Sequence, residues 1–145
     1  MADISKDVNA KFKDNRFKAF VNIMYTANWL SNKQVLFFKP FDVSPQQHNI
    51  LRILRGSGKP LKVQTVKERM VERAPNVTRL MDKLISKALI ERKACKEDRR
   101  VVHINITKKG LELLKEIDVV FNSDILEQLT QEEAKQLSNL LDKIR

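Results

Sequence analysis

The chain has few of the residues that cross-link or interrupt a fold. Its 145 residues contain one cysteine, Cys95, so no internal disulfide can form. Glycine occurs three times and proline four times. So few turn formers argue against many short strands and for helices. Histidine occurs twice. His48 and His103 lie far apart, with no second ligand at metal spacing, so no metal site is expected. The longest uncharged run, residues 19–32, holds three asparagines and is too short to span a bilayer. The first seven residues are charged and carry no apolar h-region, so they do not read as a signal peptide. A cytoplasmic protein with no membrane association is expected.

Signs of catalysis are equally sparse. There are no paired carboxylates in a shared apolar setting and no defensible Ser–His or Cys–His arrangement. Gly58-Lys59 invites a phosphate-loop reading, which fails. The pattern needs glycine where Ile53 stands and serine or threonine where Pro60 stands. No enzyme and no cofactor are expected.

What is abundant is positive charge. Apolar residues make up 42% and charged residues 32%, and the net charge is +10. Residues 1–70 hold 13 Lys/Arg against 5 Asp/Glu; residues 71–110 hold 11 against 5; residues 111–145 hold 4 against 8. The basic excess therefore covers the first two thirds and the end is acidic. A basic stretch attracts phosphate and releases counterions when it binds. A solvated surface on a basic protein is the plainer alternative.

The pattern is organised around residues 62–107. Val77, Leu80, Met81, Leu84, Ile85 and Ala88 form one apolar stripe at helical period. Pro75 stands near the helix start, where its missing N–H is harmless. Asn76, Arg79, Asp82, Lys83, Ser86 and Lys87 face away. A short helix over 63–70 precedes it, with Val63, Val66 and Met70 inward. Two closely joined helices, the second with a polar and basic outer face, have the layout of a helix-turn-helix. Residues 89–94 and 101–106 then read as a two-stranded hairpin. In its second strand Val102, Ile104 and Ile106 alternate with Val101, His103 and Asn105. The tip, Cys95-Lys96-Glu97-Asp98-Arg99-Arg100, is charged, as in a wing.

The flanks read as helices. Residues 8–38 form a long one, fraying at the start and broken near 31–33, and Pro40 ends it. Ser44 and Pro45 open another as N-cap and first helical residue, burying Ile50, Leu51, Ile53 and Leu54. Thr107 caps a helix whose inner face runs from Leu111 to Leu129. Thr130-Gln131-Glu132-Glu133 is a capping box for a last helix with Ala134, Leu137, Leu140, Leu141 and Ile144 inward. That terminal stripe needs a partner, and two-fold pairing of first and last helices would supply one.

Residues 44–110 resemble the winged helix-turn-helix of the multiple antibiotic resistance regulator (MarR) family. The matching segments are Ser44-Pro45-Gln46-Gln47-His48-Asn49-Ile50-Leu51, Val77-Thr78-Arg79-Leu80-Met81-Asp82-Lys83-Leu84, Asp98-Arg99-Arg100 and Ile106-Thr107-Lys108-Lys109-Gly110. The flanking helices fit the family in length and position. The resemblance implies a mainly α fold, with a two-stranded β-wing and flanking dimerisation helices. Residues 1–43 and 108–145 would dimerise and residues 44–107 would bind double-stranded DNA. The homodimer would act as a repressor on a pseudo-palindromic operator and be released by a small aromatic or phenolic effector.

Residue by residue, Asn76 and Arg79 are the candidates for base edges, since asparagine can take both acceptor and donor of adenine and arginine both acceptors of guanine. A surface salt bridge from Arg79 to Asp82, one turn on, is the competing reading. Thr78, Lys83, Ser86, Lys87 and Arg99 are assigned to phosphates. By the resemblance, Arg100 enters the minor groove and Asp98 positions it. A charged turn that merely keeps a strand edge soluble is the alternative. Tyr25, Trp29 and His48 are the polar-tipped rings available for an effector, unless they simply pack. Cys95 stands outside the first helix, where the redox cysteines of the family lie, and reads as incidental. The rival function is a winged helix that binds protein, for which the basic face at Arg79, Lys83, Lys87, Arg99 and Arg100 would be superfluous.

Overall fold

A computed structural model describes residues 2–121 and 124–145, in two units that divide at Pro45. In the first unit, helix α1 (Ile4–Asp7) is a single turn capped by Asp3, whose carboxylate accepts from the Ser5 N–H. Asn9 leaves it with φ +49°. Helix α2 (Asn15–Phe38) begins where the Asp14 carboxylate accepts from the Phe17 N–H at 2.9 Å. It runs for 24 residues without interruption. The expected helix over 8–38 frays at its start as expected and is corrected in its break. The break falls before Asp14, which is a strong cap, and residues 31–33 stay helical. Pro40 lies in a 3₁₀ turn, Lys39–Phe41, and Asp42 exits at φ +56°. The Phe37 ring meets Phe38 edge-on at 5.0 Å and Phe41 at 5.9 Å. Most of the apolar surface of α2 is exposed, including Phe17, Phe20, Met24 and Leu36.

The second unit is built on α3 (Pro45–Ser57), which buries Ile50, Leu51 and Leu54 and half-buries Ile53. Gly58 turns the chain at φ +64°, a conformation glycine adopts without steric cost. The next two residues after Pro60 form β1 (Leu61–Lys62), followed directly by α4 (Val63–Arg69). Helix α5 (Val77–Ser86) buries Val77, Met81 and Leu84. It ends in a full Schellman motif: the Leu89 N–H donates to the Leu84 carbonyl at 3.0 Å and the Ala88 N–H to the Ile85 carbonyl at 2.9 Å. This places Ala88 in the left-handed region at φ +56°, exposed, so it is not part of the buried stripe.

Strands β2 (Ile90–Ala94) and β3 (Val102–Ile106) form the hairpin. The expected two-stranded hairpin of the wing is present, and a third strand joins its sheet. β1 pairs antiparallel with β3, Leu61 opposite Ile104 and Lys62 opposite His103, giving the order β1-β3-β2. Two residues are too short to display a period, so this strand left no trace in the sequence.

Helix α6 (Lys108–Val120) is capped by Thr107, whose hydroxyl oxygen accepts from the Gly110 N–H at 3.1 Å. The expected continuation of its stripe to Leu129 does not hold, because the helix stops at Val120. Residues 122–123 of that stretch lie outside the described residues, and a 3₁₀ turn, Asp124–Leu126, follows. The capping box at Thr130 and Glu133 is present and opens α7 (Gln131–Ile144). The stripe of α7 is not inward within this chain: Leu137, Leu140 and Ile144 are exposed.

Candidate nucleic-acid interface

The amphipathic α5 turns Val77, Met81 and Leu84 into the core and thereby fixes what faces out. Thr78, Arg79, Asp82, Lys83 and Ser86 are exposed. Asn76 is the N-cap, and its side chain makes no capping hydrogen bond. Its carboxamide therefore remains uncommitted at the end of the helix that a groove would meet first. Asp82 is paired with Arg92 of β2, not with Arg79. Among the described residues Arg79 has no carboxylate partner. The Ser86 hydroxyl donates to the Lys83 carbonyl at 2.7 Å, so its one proton is held by its own helix. Lys87 follows the helix as C-cap and is half-buried, and its carbonyl accepts from Lys109 Nζ at 2.9 Å.

The turn before α5 is anchored to α3. Asn49 Oδ1 accepts from the Val71 N–H at 3.1 Å, and Gln46 Nε2 donates to Glu72 Oε2 at 3.0 Å. These bonds fix the entry of α5 through side chains far off in sequence. Along α4 and its flanks stand Lys62, Lys67, Arg69 and Arg73, all exposed. None was assigned a role from the sequence, although all contribute to the basic excess. Their clustering within residues 62–73 is the available signal.

At the wing tip the Asp98 carbonyl accepts from the Val101 N–H at 3.0 Å, and Cys95 N–H donates to the Val101 carbonyl at 3.0 Å. The Asp98 carboxylate accepts from the Arg100 N–H at 3.0 Å and stands 3.6 Å from Arg100 Nε. One carboxylate thus binds the backbone N–H of Arg100 and lies within ion-pair range of its guanidinium, while the Arg100 side chain is 94% exposed. Arg99 is exposed beside it, and Cys95 is half-buried. On the sheet, His103 stands in one cross-strand row with Lys62 and Lys93. That row adds two cations to the same unit.

The three rings proposed for an effector have different settings. Tyr25 and Trp29 lie on α2 and are partly exposed, with the Lys33 ammonium 4.0 Å from the Trp29 ring centroid. His48 lies on α3, buried, 5.7 Å from the Phe121 ring. Burial lowers its pKa to about 4; Arg52 and Arg55 push the same way and Asp118 opposes them. His48 is therefore a neutral, packed ring at physiological pH. Arg55 grips Asp118 of α6 at 2.5 and 3.4 Å. Among the described residues no group of three or more His, Cys, Asp or Glu could hold a metal ion. No helix there is long and apolar enough to cross a membrane.

A short helix, a second helix with a polar outer face, and a charged hairpin closed by a third strand define a winged helix-turn-helix. Residues 43–102 match the MarR family model. The HTH-type transcriptional regulator MhqR of Bacillus subtilis is 31% identical over 106 residues, covering 70% of this chain and 72% of the relative. The chain belongs to the MarR family, and it is a winged helix-turn-helix transcription regulator. Among solved structures, a MarR-like transcription regulator from Bacillus cereus superposes with TM-score 0.77 at 25% identity, covering 89% of this chain and 94% of that one. A cysteine-to-serine mutant of MarR from E. coli, complexed with operator DNA, superposes with TM-score 0.77 at 21% identity, covering 92% and 99%.

Proposed function

We propose that the chain acts in the cytoplasm as a homodimeric, sequence-specific DNA-binding repressor and carries out no catalysis. Residues 44–107 bind the duplex, and the flanks, 1–43 and 108–145, pair two copies. The observation that carries this reading is the uncommitted polar face at the start of α5. Asn76 and Arg79 stand exposed there without a capping bond or a carboxylate partner. They contact base edges, while Thr78, Lys83, Lys87 and Arg99 contact phosphates. To these we add Lys62, Lys67, Arg69 and Arg73. Ser86 ranks last among the phosphate contacts because its proton is engaged. Arg100, held by Asp98, enters a minor groove whose negative potential favours guanidinium.

Two observations support pairing of copies. α2 exposes Phe17, Phe20, Met24 and Leu36, and α7 exposes Leu137, Leu140 and Ile144. Such faces on terminal helices call for a second chain. In a two-fold dimer the recognition helices enter successive major grooves about 34 Å apart. The operator-bound E. coli protein shares this fold. An aromatic or phenolic effector would release the operator by binding better to a dimer with the wrong helix spacing.

Selection of duplexes from a random pool tests the reading. We expect enrichment of a pseudo-palindrome with half-sites one helical turn apart. Retention of all sequences alike would leave a non-specific binder, and no retention would favour a protein-binding winged helix.

A further inference from the structure

Arg92 was singled out by no feature of the sequence. In the sheet it occupies the cross-strand row of Leu61 and Ile104, both buried, so it leaves the face that carries core residues. From there its guanidinium reaches across to α5 and pairs with the Asp82 carboxylate. Both side chains are about half exposed, at 53% and 54%. An ion pair so exposed adds little to stability. Its consequence lies elsewhere. Asp82 follows Arg79 by three residues, the spacing at which opposite charges on a helix attract. Among the described residues, Arg92 is what keeps that carboxylate occupied, and Arg79 has no other acidic partner.

We infer that Arg92 is a positioning residue for base recognition: by holding Asp82, it leaves Arg79 free to present both guanidinium donors to a base edge. The inference rests on the reading of α5 as the recognition helix. Without Arg92, the Asp82 carboxylate draws Arg79 along the helix and away from the groove. It also places an uncompensated negative charge against the phosphates. Arg92 thus acts on specificity through Arg79 and needs no contact with DNA.

The test compares wild type, R92Q, D82N and D82N/R92Q in binding to duplex selected by the wild-type protein and to random duplex. The readout is the ratio of the two affinities at one salt concentration, with thermal melts of each protein as the check on folding. R92Q should lose about tenfold or more in discrimination, the scale of one bidentate base contact. D82N should keep wild-type discrimination, and D82N/R92Q should regain it, because no carboxylate remains to capture Arg79. Melting temperatures should stay close together. A purely structural tie between wing and helix predicts the opposite: D82N as damaging as R92Q and no recovery in the double variant. That result, or wild-type discrimination by R92Q, overturns the inference. Loss of discrimination by D82N alone overturns it even if R92Q does not fold. Failure of the wild-type protein to select any sequence is a different outcome and refutes the DNA reading itself.

Discussion

Alanine in place of glycine should have opposite effects at two helical positions of this chain. Gly110 lies in the first turn of α6, where an added Cβ would stand 2.3 Å from the Leu89 carbonyl oxygen and 2.8 Å from Ile106 Cγ1. The oxygen cannot simply withdraw. It accepts from the Thr107 N–H at 3.1 Å, while the Thr107 hydroxyl donates to the neighbouring Ala88 carbonyl at 2.7 Å. The same threonine caps α6 through the Gly110 N–H. Relief therefore moves the helix start away from the end of α5 and the base of the wing. Overpacking costs about 1–3 kcal/mol and a weakened N-cap about 1 kcal/mol, so Gly110→Ala should destabilise by about 3 kcal/mol. Gly56, inside α3, has nothing within 4 Å of its would-be Cβ and no positive φ. There alanine should stabilise by up to about 1 kcal/mol through helix propensity. Urea midpoints at one fixed chain concentration read both effects, with the concentration held because pairing of chains would shift apparent stability. A propensity account without packing has both variants stabilised. An unchanged midpoint for Gly110→Ala would refute the close approach of α6 to Leu89.

Other expectations follow from single residues. His48 has a pKa of about 4 in the folded chain against 6.5 for the unperturbed ring. The unfolded state therefore binds more protons between those values, so stability is full above about pH 6.5 and falls as pH drops toward 4, by at most about 3 kcal/mol. Urea unfolding across that range should show the slope, and His48→Gln should flatten it. Ala88 holds φ +56° at the Schellman position, so Ala88→Gly should raise the urea midpoint by the equivalent of about 1 kcal/mol. Arg100→Ala should weaken binding to selected and random duplex by similar factors, as titrations with each would show, whereas Arg79→Ala should chiefly erase the difference between them.

Local signals carried much of the fold. The α5 stripe, the alternation in β3, and the caps at Thr107 and Thr130 each lie within a few residues, and each appears where its pattern put it. What escaped depends on partners distant in sequence. β1 exists because Leu61 and Lys62 meet Ile104 and His103, and no two-residue stretch announces that. The end of α5 was overrun because Ala88 is apolar, although its backbone is left-handed. The fraying start of the helix over 8–38 resolves into a defined beginning because Asp14, one carboxylate in a charged stretch, caps it. At the site, the exposure of Asn76, Arg79, Asp98 and Arg100 followed from helix period and the charged tip. The choice of Asp82 between Arg79 and Arg92 did not, since only folding brings β2 beside α5.

The most direct test of the central claim is titration of the protein with its selected duplex and with random duplex over a range of salt. If α5 and the wing form a groove-reading cationic surface, both affinities fall steeply as salt rises, with a slope of about −0.9 per phosphate contacted. The preference for the selected duplex should persist, because base contacts release few counterions. A flat salt response, or equal affinity for the two duplexes at every salt concentration, would contradict it.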